Sequence, residues 1–223
     1  HVKRLMMLLN DWGYPEIAVR LAKNAGYAGA AMPAFTHPVI ALPAYIGPGT
    51  APEAPLVLGL IRQETEFDAY AVSGAGARGL MQMMPASAKL AAKQAGMPYR
   101  PEALQSDTAY NMQLGMTEWR GHLDRYGGSW VLATASYNAG PGNVRKWLAV
   151  YGDPRVSDPI DWIEQIPFGE TRNYVQRVLE NTEVYRARLA GKDVPLRILT
   201  DLYAPNPPAM PVLPGGSAGN GSK

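Results

Sequence analysis

Residues 55–67 read PLVLGLIRQETEF, and within them Val57, Leu60, Ile61, Glu64 and Phe67 recur at the spacing of one helix face. All but Glu64 are apolar, so a carboxylate sits on a face built for burial. Withdrawal from water disfavours the charged form of an acid, and this Glu should hold a proton near neutral pH. That is what a general acid requires. The bland reading is a helix whose solvated side begins at Glu64, since Glu is rarely buried without a partner.

The chain has 223 residues, 47% hydrophobic and 18% charged, enough for one medium domain with an appended piece. Lys and Arg number 21 against 19 acids, and the net charge of +2 leaves no electrostatic footprint for nucleic acid. Without cysteine, structural disulfides, zinc fingers and thiol catalysis are excluded, and the redox compartment stays open. The histidines, His1, His37 and His122, have no metal-ligand spacing, so no metal or cofactor is expected. No apolar run reaches the roughly 18 residues of a membrane span, and no signal-peptide pattern is present. The start at His1 rather than Met reads as a processed or excised fragment.

Residues 2–26 spell two helices broken at Trp12 to Tyr14, with Pro15 near the second start and Gly26 as its stop. So much apolar surface on so short an element suggests the last turn of an α-helical solenoid. Residues 1–50 are therefore read as that end plus an Ala, Pro and Gly-rich linker beginning near Gly29. Residues 51–191 form the main domain, with helices expected over Pro85–Gly96, Asp107–Gly127, Ser129–Gly140, Asp158–Gln165 and Glu170–Gly191. Ser129 and Asp158 suit N-caps, Pro85 and Pro159 suit first turns, and the closing glycines suit helix stops. Residues 192–223 are a C-terminal extension, Pro-rich then Gly and Ser-rich and expected to be disordered from about 204.

Three further segments carry polar groups in unusual settings. In AVSGAGARGLMQMMPASAK (71–89), glycines permit tight turns and Gln82 sits among Met81, Met83 and Met84, an amide on a polarizable wall that suits a sugar. The segment lacks the ending of a phosphate loop and the strand context of a dinucleotide fingerprint. Alone, it reads slightly better as core methionines with Gln82 in a turn. In ASYNAGPGNVRKW (135–147), Tyr137 and Asn138 end a helix before a sharp turn through Ala139 to Gly142, a way to grip an N-acetylated ring or merely a connector. FGETRNYVQRVLE (168–180) opens a helix with Glu170, where the macrodipole favours an acid for structural reasons alone, and carries Tyr174 one turn on.

Taken in order, RQETEF (62–67), GARGLMQMMPASA (76–88), SYNAGPGNV (136–144) and ETRNYVQRV (170–178) resemble the four motifs of the soluble, goose-lysozyme-like lytic transglycosylases. The resemblance runs from about Pro52 to Leu189. It implies a mainly α, lysozyme-like catalytic domain with room for a small β-hairpin around Ala77 to Met83, preceded by the solenoid end. Two departures stand out: Thr65 follows the acid where the family commonly has Ser, and Glu66 stands where a small residue is usual. Thr keeps the hydroxyl, and Glu66 lies one turn after Arg62, which suggests a solvated pair rather than a second catalytic acid.

The resemblance further implies Glu64 as acid and base, with Met81, Gln82, Tyr137, Asn138, Ala139, Glu170 and Tyr174 lining the substrate site. It implies peptidoglycan strands as substrate, a bacterial periplasm or envelope as location, and cleavage of the MurNAc-GlcNAc β-1,4 bond to 1,6-anhydro-MurNAc ends without water. Glycosidases generally use two carboxylates. Here the muramic acetamido group would serve in place of the second. Two rival readings stand beside this one: a goose-type muramidase in which Glu66, Asp68 or Glu170 places a water, and a silent glycan-binding module.

Overall fold

Leu56, Val57, Leu58, Gly59, Leu60 and Ile61 are all buried, so the helix that carries Glu64 is enclosed on every side over its middle turns. A helix apolar all round has to run through a core. The computed structural model describes residues 1–205, and the architecture is built around this element.

The order is α1 (Val2–Asp11), α2 (Pro15–Tyr27), α3 (Pro33–Thr36), α4 (Ala54–Thr65), α5 (Pro85–Gln94), α6 (Ala103–Ser106), α7 (Thr108–Arg125), α8 (Trp130–Ala139), α9 (Pro141–Tyr151), α10 (Pro159–Glu164), α11 (Gly169–Ala190) and α12 (Ile198–Leu202). The central cluster joins α4 to α7 and α11 through Leu56, Leu60, Met112, Trp119, Tyr174 and Val178. A second cluster gathers α8, α9 and α10 on the other flank of α11. The expected caps form: Ser129 Oγ accepts from Leu132 N at 3.3 Å and Asp158 Oδ1 from Ile160 N at 2.7 Å.

The α4–α11 crossing is close because Gly59 faces it. A Cβ there would lie 3.1 Å from Thr182 Oγ1 and 3.3 Å from Val178 O. That approach sets Glu64, at the end of α4, against Tyr174 of α11.

The α1–α2 hairpin has its own small core of Met6, Ala18, Ala22 and Phe35, while Val19 joins the central cluster. Its outer face leaves Val2, Leu5, Met7 and Leu8 exposed. The linker after it is tied down at several points. Arg62 Nε donates to Thr36 O at 2.7 Å, Arg188 Nε donates to His37 O at 3.2 Å, and Gln113 holds both Ile46 N and Ala44 O.

Several expectations are revised. The helix stops at Thr65, and Glu66 and Phe67 both take left-handed backbone (φ 52° and 73°), so Phe67 is buried from a turn rather than from the helix face. The hairpin expected around Ala77 to Met83 is only a pair of isolated bridges, Arg78 with Val72 and Arg78 with Met83. Leu80 and Met81 turn into the core there, leaving one rung to close the turn. Residues 141–151 are helical although Pro141 and Gly142 read as a turn; Pro is compatible with a first turn, and Val144 and Trp147 supply the buried face. The extension expected to be disordered from about 204 lies almost wholly outside the described residues.

Replacing Gly59 by Val should force α4 from α11 and cost about 2 kcal/mol of stability. Urea denaturation of the two proteins measures it; equal midpoints would show that the crossing has slack.

Candidate active site

Glu64 sits in the last turn of α4, where the macrodipole opposes negative charge, and it is only partly exposed. Tyr174 Oη donates to its Oε1 at 2.5 Å. Burial pushes the carboxyl up from 4.5 to about 7; the Tyr174 hydrogen bond works in the opposite direction, and the charges of Glu118 and Glu170 add to the rise. Desolvation wins because one neutral donor replaces little of the lost hydration. Near neutral pH the group therefore stands poised between donor and acceptor of a proton.

The wall facing Glu64 is the turn of residues 71–84, held by buried hydrogen bonds. Thr65 Oγ1, immediately after the acid, donates to Leu80 O at 3.0 Å. Asn111 of α7 accepts from Met81 N at 2.8 Å and donates to Arg78 O and Leu104 O, each at 2.9 Å. Gly79 has to be glycine: its φ is +74° and a Cβ would meet Leu104 O at 2.1 Å. Gln82, also left-handed at φ 47°, donates through Nε2 to Ala71 O and Gly79 O, which fixes the amide and leaves its oxygen to accept.

The opposite wall comes from the end of α8 and the start of α11. Tyr137 Oη donates to Met81 O at 2.8 Å, so the phenol braces the turn, and burial holds it well above its ordinary pKa as a neutral donor. Thr171 Oγ1 donates to Asn138 Oδ1 at 2.6 Å, which turns the Asn138 amide N–H groups to other acceptors. Glu170 lies exposed at the rim.

These groups line one cavity of about 570 Å³ that contains Glu64, Gln82, Tyr137, Asn138, Glu170 and Tyr174, with Ala139 beside them. Larger cavities, about 780 and 650 Å³, lie elsewhere, and neither contains Glu64. The chemistry of the residues, not size, selects the smaller one.

Most of the expected site residues converge here, with Met81 as the exception. Its side chain is fully buried beneath the wall, and the methionine that lines the cavity is Met84. Glu66 and Asp68 also lie off the cavity. Glu66 pairs with Lys23 and, at 3.5 Å, with Arg62, while Asp68 pairs with Arg20 at 3.7 Å. The pairing of Glu66 with Arg62 is as expected; Lys23 of α2 is the addition.

Glu118 of α7 lines the cavity and was missed by the sequence reading. The signal was there: Asn111, Gly115, Glu118 and His122 share one helix face at spacings of three or four, the pattern that singled out Glu64. Among the described residues no group of three or more His, Cys, Asp or Glu could hold a metal ion. None of the described helices is long and apolar enough to cross a membrane.

Residues 49–157 match the family described as the transglycosylase SLT domain. That stretch, just under half of the chain, is an SLT-type domain. Residues 165–193 match the soluble lytic transglycosylase helical domain, a match that falls on α11 rather than on the N-terminal hairpin. The chain is 34% identical over 137 residues to the soluble lytic murein transglycosylase of Salmonella typhimurium, covering 61% of this chain and 21% of that protein. It therefore spans about a fifth of that relative's length. Its structure is similar to that of the 70-kDa soluble lytic transglycosylase of Escherichia coli, with a TM-score of 0.72, 28% identity, and coverage of 86% of this chain and 31% of that one. It is also similar to an inactive glutamate-to-glutamine mutant of the lytic transglycosylase Slt from Pseudomonas aeruginosa, with a TM-score of 0.63, 30% identity, and coverage of 84% and 30%. The fold is mainly α and lysozyme-like, as expected. The overlay with the Escherichia coli enzyme spans more of the chain than residues 51–191 alone can supply.

Because folding raises the Glu64 pKa from 4.5 to about 7, the folded state holds this proton more tightly than the unfolded one. The resulting stability is complete below about pH 4.5 and is lost as pH rises through about 7. Glu64→Gln removes that loss, so the variant should be more stable than wild type at about pH 8 by up to about 3 kcal/mol, and equal to it in acid. Denaturant titrations at both pH values measure this; no gain at alkaline pH would mean that the carboxyl is well solvated.

Proposed function

We propose that this domain is a lytic transglycosylase of peptidoglycan and that Glu64 is its single acid and base. The observation that carries the reading is a carboxyl held near pKa 7 inside a cleft, hydrogen-bonded to Tyr174 and faced by the fixed amides of Gln82 and Asn138.

Protonated Glu64 gives its proton to the oxygen of the MurNAc-GlcNAc β-1,4 bond as that bond breaks. The acetamido oxygen of the muramic sugar stabilises the positive charge left on C1. The Glu64 carboxylate then takes the proton of the C6 hydroxyl as O6 closes on C1, giving a 1,6-anhydro-MurNAc end and restoring the acid. No water enters, and the nucleophile is already part of the substrate, which carries the advantage of an intramolecular attack. Tyr174 keeps one Glu64 oxygen occupied, so the other is the one that exchanges protons. Gln82, Asn138, Ala139, Glu170 and Tyr137 line the sugar site directly, while Met81 contributes its backbone to the turn beneath it.

The relatives are murein transglycosylases by name, which supports the substrate class, and the inactive glutamine mutant supports dependence on a glutamate. In this reading residues 1–50 are the end of a superhelix and its linker, 51–191 the catalytic domain and 192–223 an extension. The exposed outer face of α1 favours the first assignment. Peptidoglycan places the enzyme in the periplasm or envelope of a bacterium.

Mass spectrometry of muropeptides released from purified peptidoglycan, with wild type and Glu64→Gln in parallel, tests this reading. Anhydro ends should appear with wild type and fall by about a hundredfold or more in the variant. Hydrated reducing ends would make the domain a muramidase, and no release by wild type would make it a binding module.

A further inference from the structure

Glu118 is the charged group of the cleft that the mechanism above does not use. It lies on α7, its side chain 19% exposed, on the same cavity as Glu64, Tyr137 and Tyr174. Among the described residues the one basic side chain within 4 Å of its carboxylate is His122, one turn along, with Nε2 at 3.8 Å. His122 is itself held: its Nδ1 lies 3.3 Å from Ser136 Oγ, and its ring stands edge-on to Tyr137 at 6.4 Å between centroids. The imidazole is thus fixed with its other nitrogen toward Glu118. An acid so placed has some water and an imidazole beside its carboxylate, whereas burial disfavours the charged form of Glu64.

We infer that Glu118 is a positioning residue, whose standing negative charge across the cleft keeps the catalytic proton on Glu64 between turnovers. The inference rests on the acid role proposed for Glu64 and extends it. Where two carboxyls share a site, the better-solvated one takes the charge and the other retains the proton. The groups facing Glu64 are Tyr174 and Glu170 from α11, Tyr137 from α8 and Glu118 from α7; those facing Glu118 are His122 on its own helix, Tyr137, Tyr174 and Glu64. Glu118 and Tyr137 line the same cavity, so the acid stands on the site that receives the sugar. Between the two acids that act on Glu64, Glu118 has the larger effect and Glu170 at the rim the smaller.

The test is a side-chain carboxyl ¹³C NMR titration of wild type, Glu118→Gln and Glu118→Asp, with the Glu64 signal assigned by its loss in Glu64→Gln. It needs no substrate or turnover. The wild-type midpoint should lie at about 7. In Glu118→Gln it should fall by about half a pH unit or more, while Glu118→Asp, which keeps the charge, should stay near wild type. The alkaline limb of the activity profile should move to lower pH in the same variant. An unmoved midpoint in Glu118→Gln, or an equal shift in Glu118→Asp, overturns the role of Glu118. Failure of the transglycosylase reading would show separately, as absent anhydro products with the titration unaffected.

Discussion

The withdrawal of one carboxyl group from water organises this molecule. Glu64 ends a helix whose middle turns are completely enclosed, at the pole where the helix dipole is hostile to an anion. An acid in that position is unfavourable in its charged form and useful in its neutral one. The close α4–α11 contact at Gly59 makes the placement exact enough for Tyr174 to reach it, and the hydroxyl tempers the effect of burial without cancelling it.

Around the acid the backbone is unusual. Glu66, Phe67 and Gln82 are non-glycine residues at positive φ, and all lie within the two turns that the Thr65–Leu80 hydrogen bond joins beside the acid. Such conformations cost of order 1 to 3 kcal/mol each and persist only where the surroundings over-determine them. Here the surroundings do. Asn111 holds three backbone groups from within α7, Thr65 ties the end of α4 to Leu80, and Tyr137 braces Met81. The side chains that would meet a sugar are therefore presented by a turn with little freedom to yield.

What could be read from sequence follows from what periodicity reports. A spacing of three and four identifies an inward face, so Glu64 announced itself by interrupting an apolar one. Local chemistry likewise gave the caps at Ser129 and Asp158 and the hairpin of α1 and α2. Periodicity does not say which distant element covers a face. Glu118 and Asn111 lie in a helix whose inward side mixes polar and apolar residues, and their roles depend on partners far along the chain. Met81 was misjudged because a run of methionines does not reveal which of them turns inward. The helix at 141–151 was hidden by Pro141 and Gly142, which serve a turn and a helix start equally well.

Two residues just beyond the end of α4 also fasten the N-terminal hairpin: Lys23 grips Glu66, and Arg20 lies 3.7 Å from Asp68. Both anchors come from α2, and both partners sit within four residues of Glu64. In mechanical terms the hairpin is a lever whose short arm is the turn beside the acid. Partly exposed ion pairs of this sort are worth at most about 1 kcal/mol and weaken with salt, so the hinge is compliant while the apolar seam at Val19 keeps it seated. A load on the hairpin is delivered first to the turn that positions the acid.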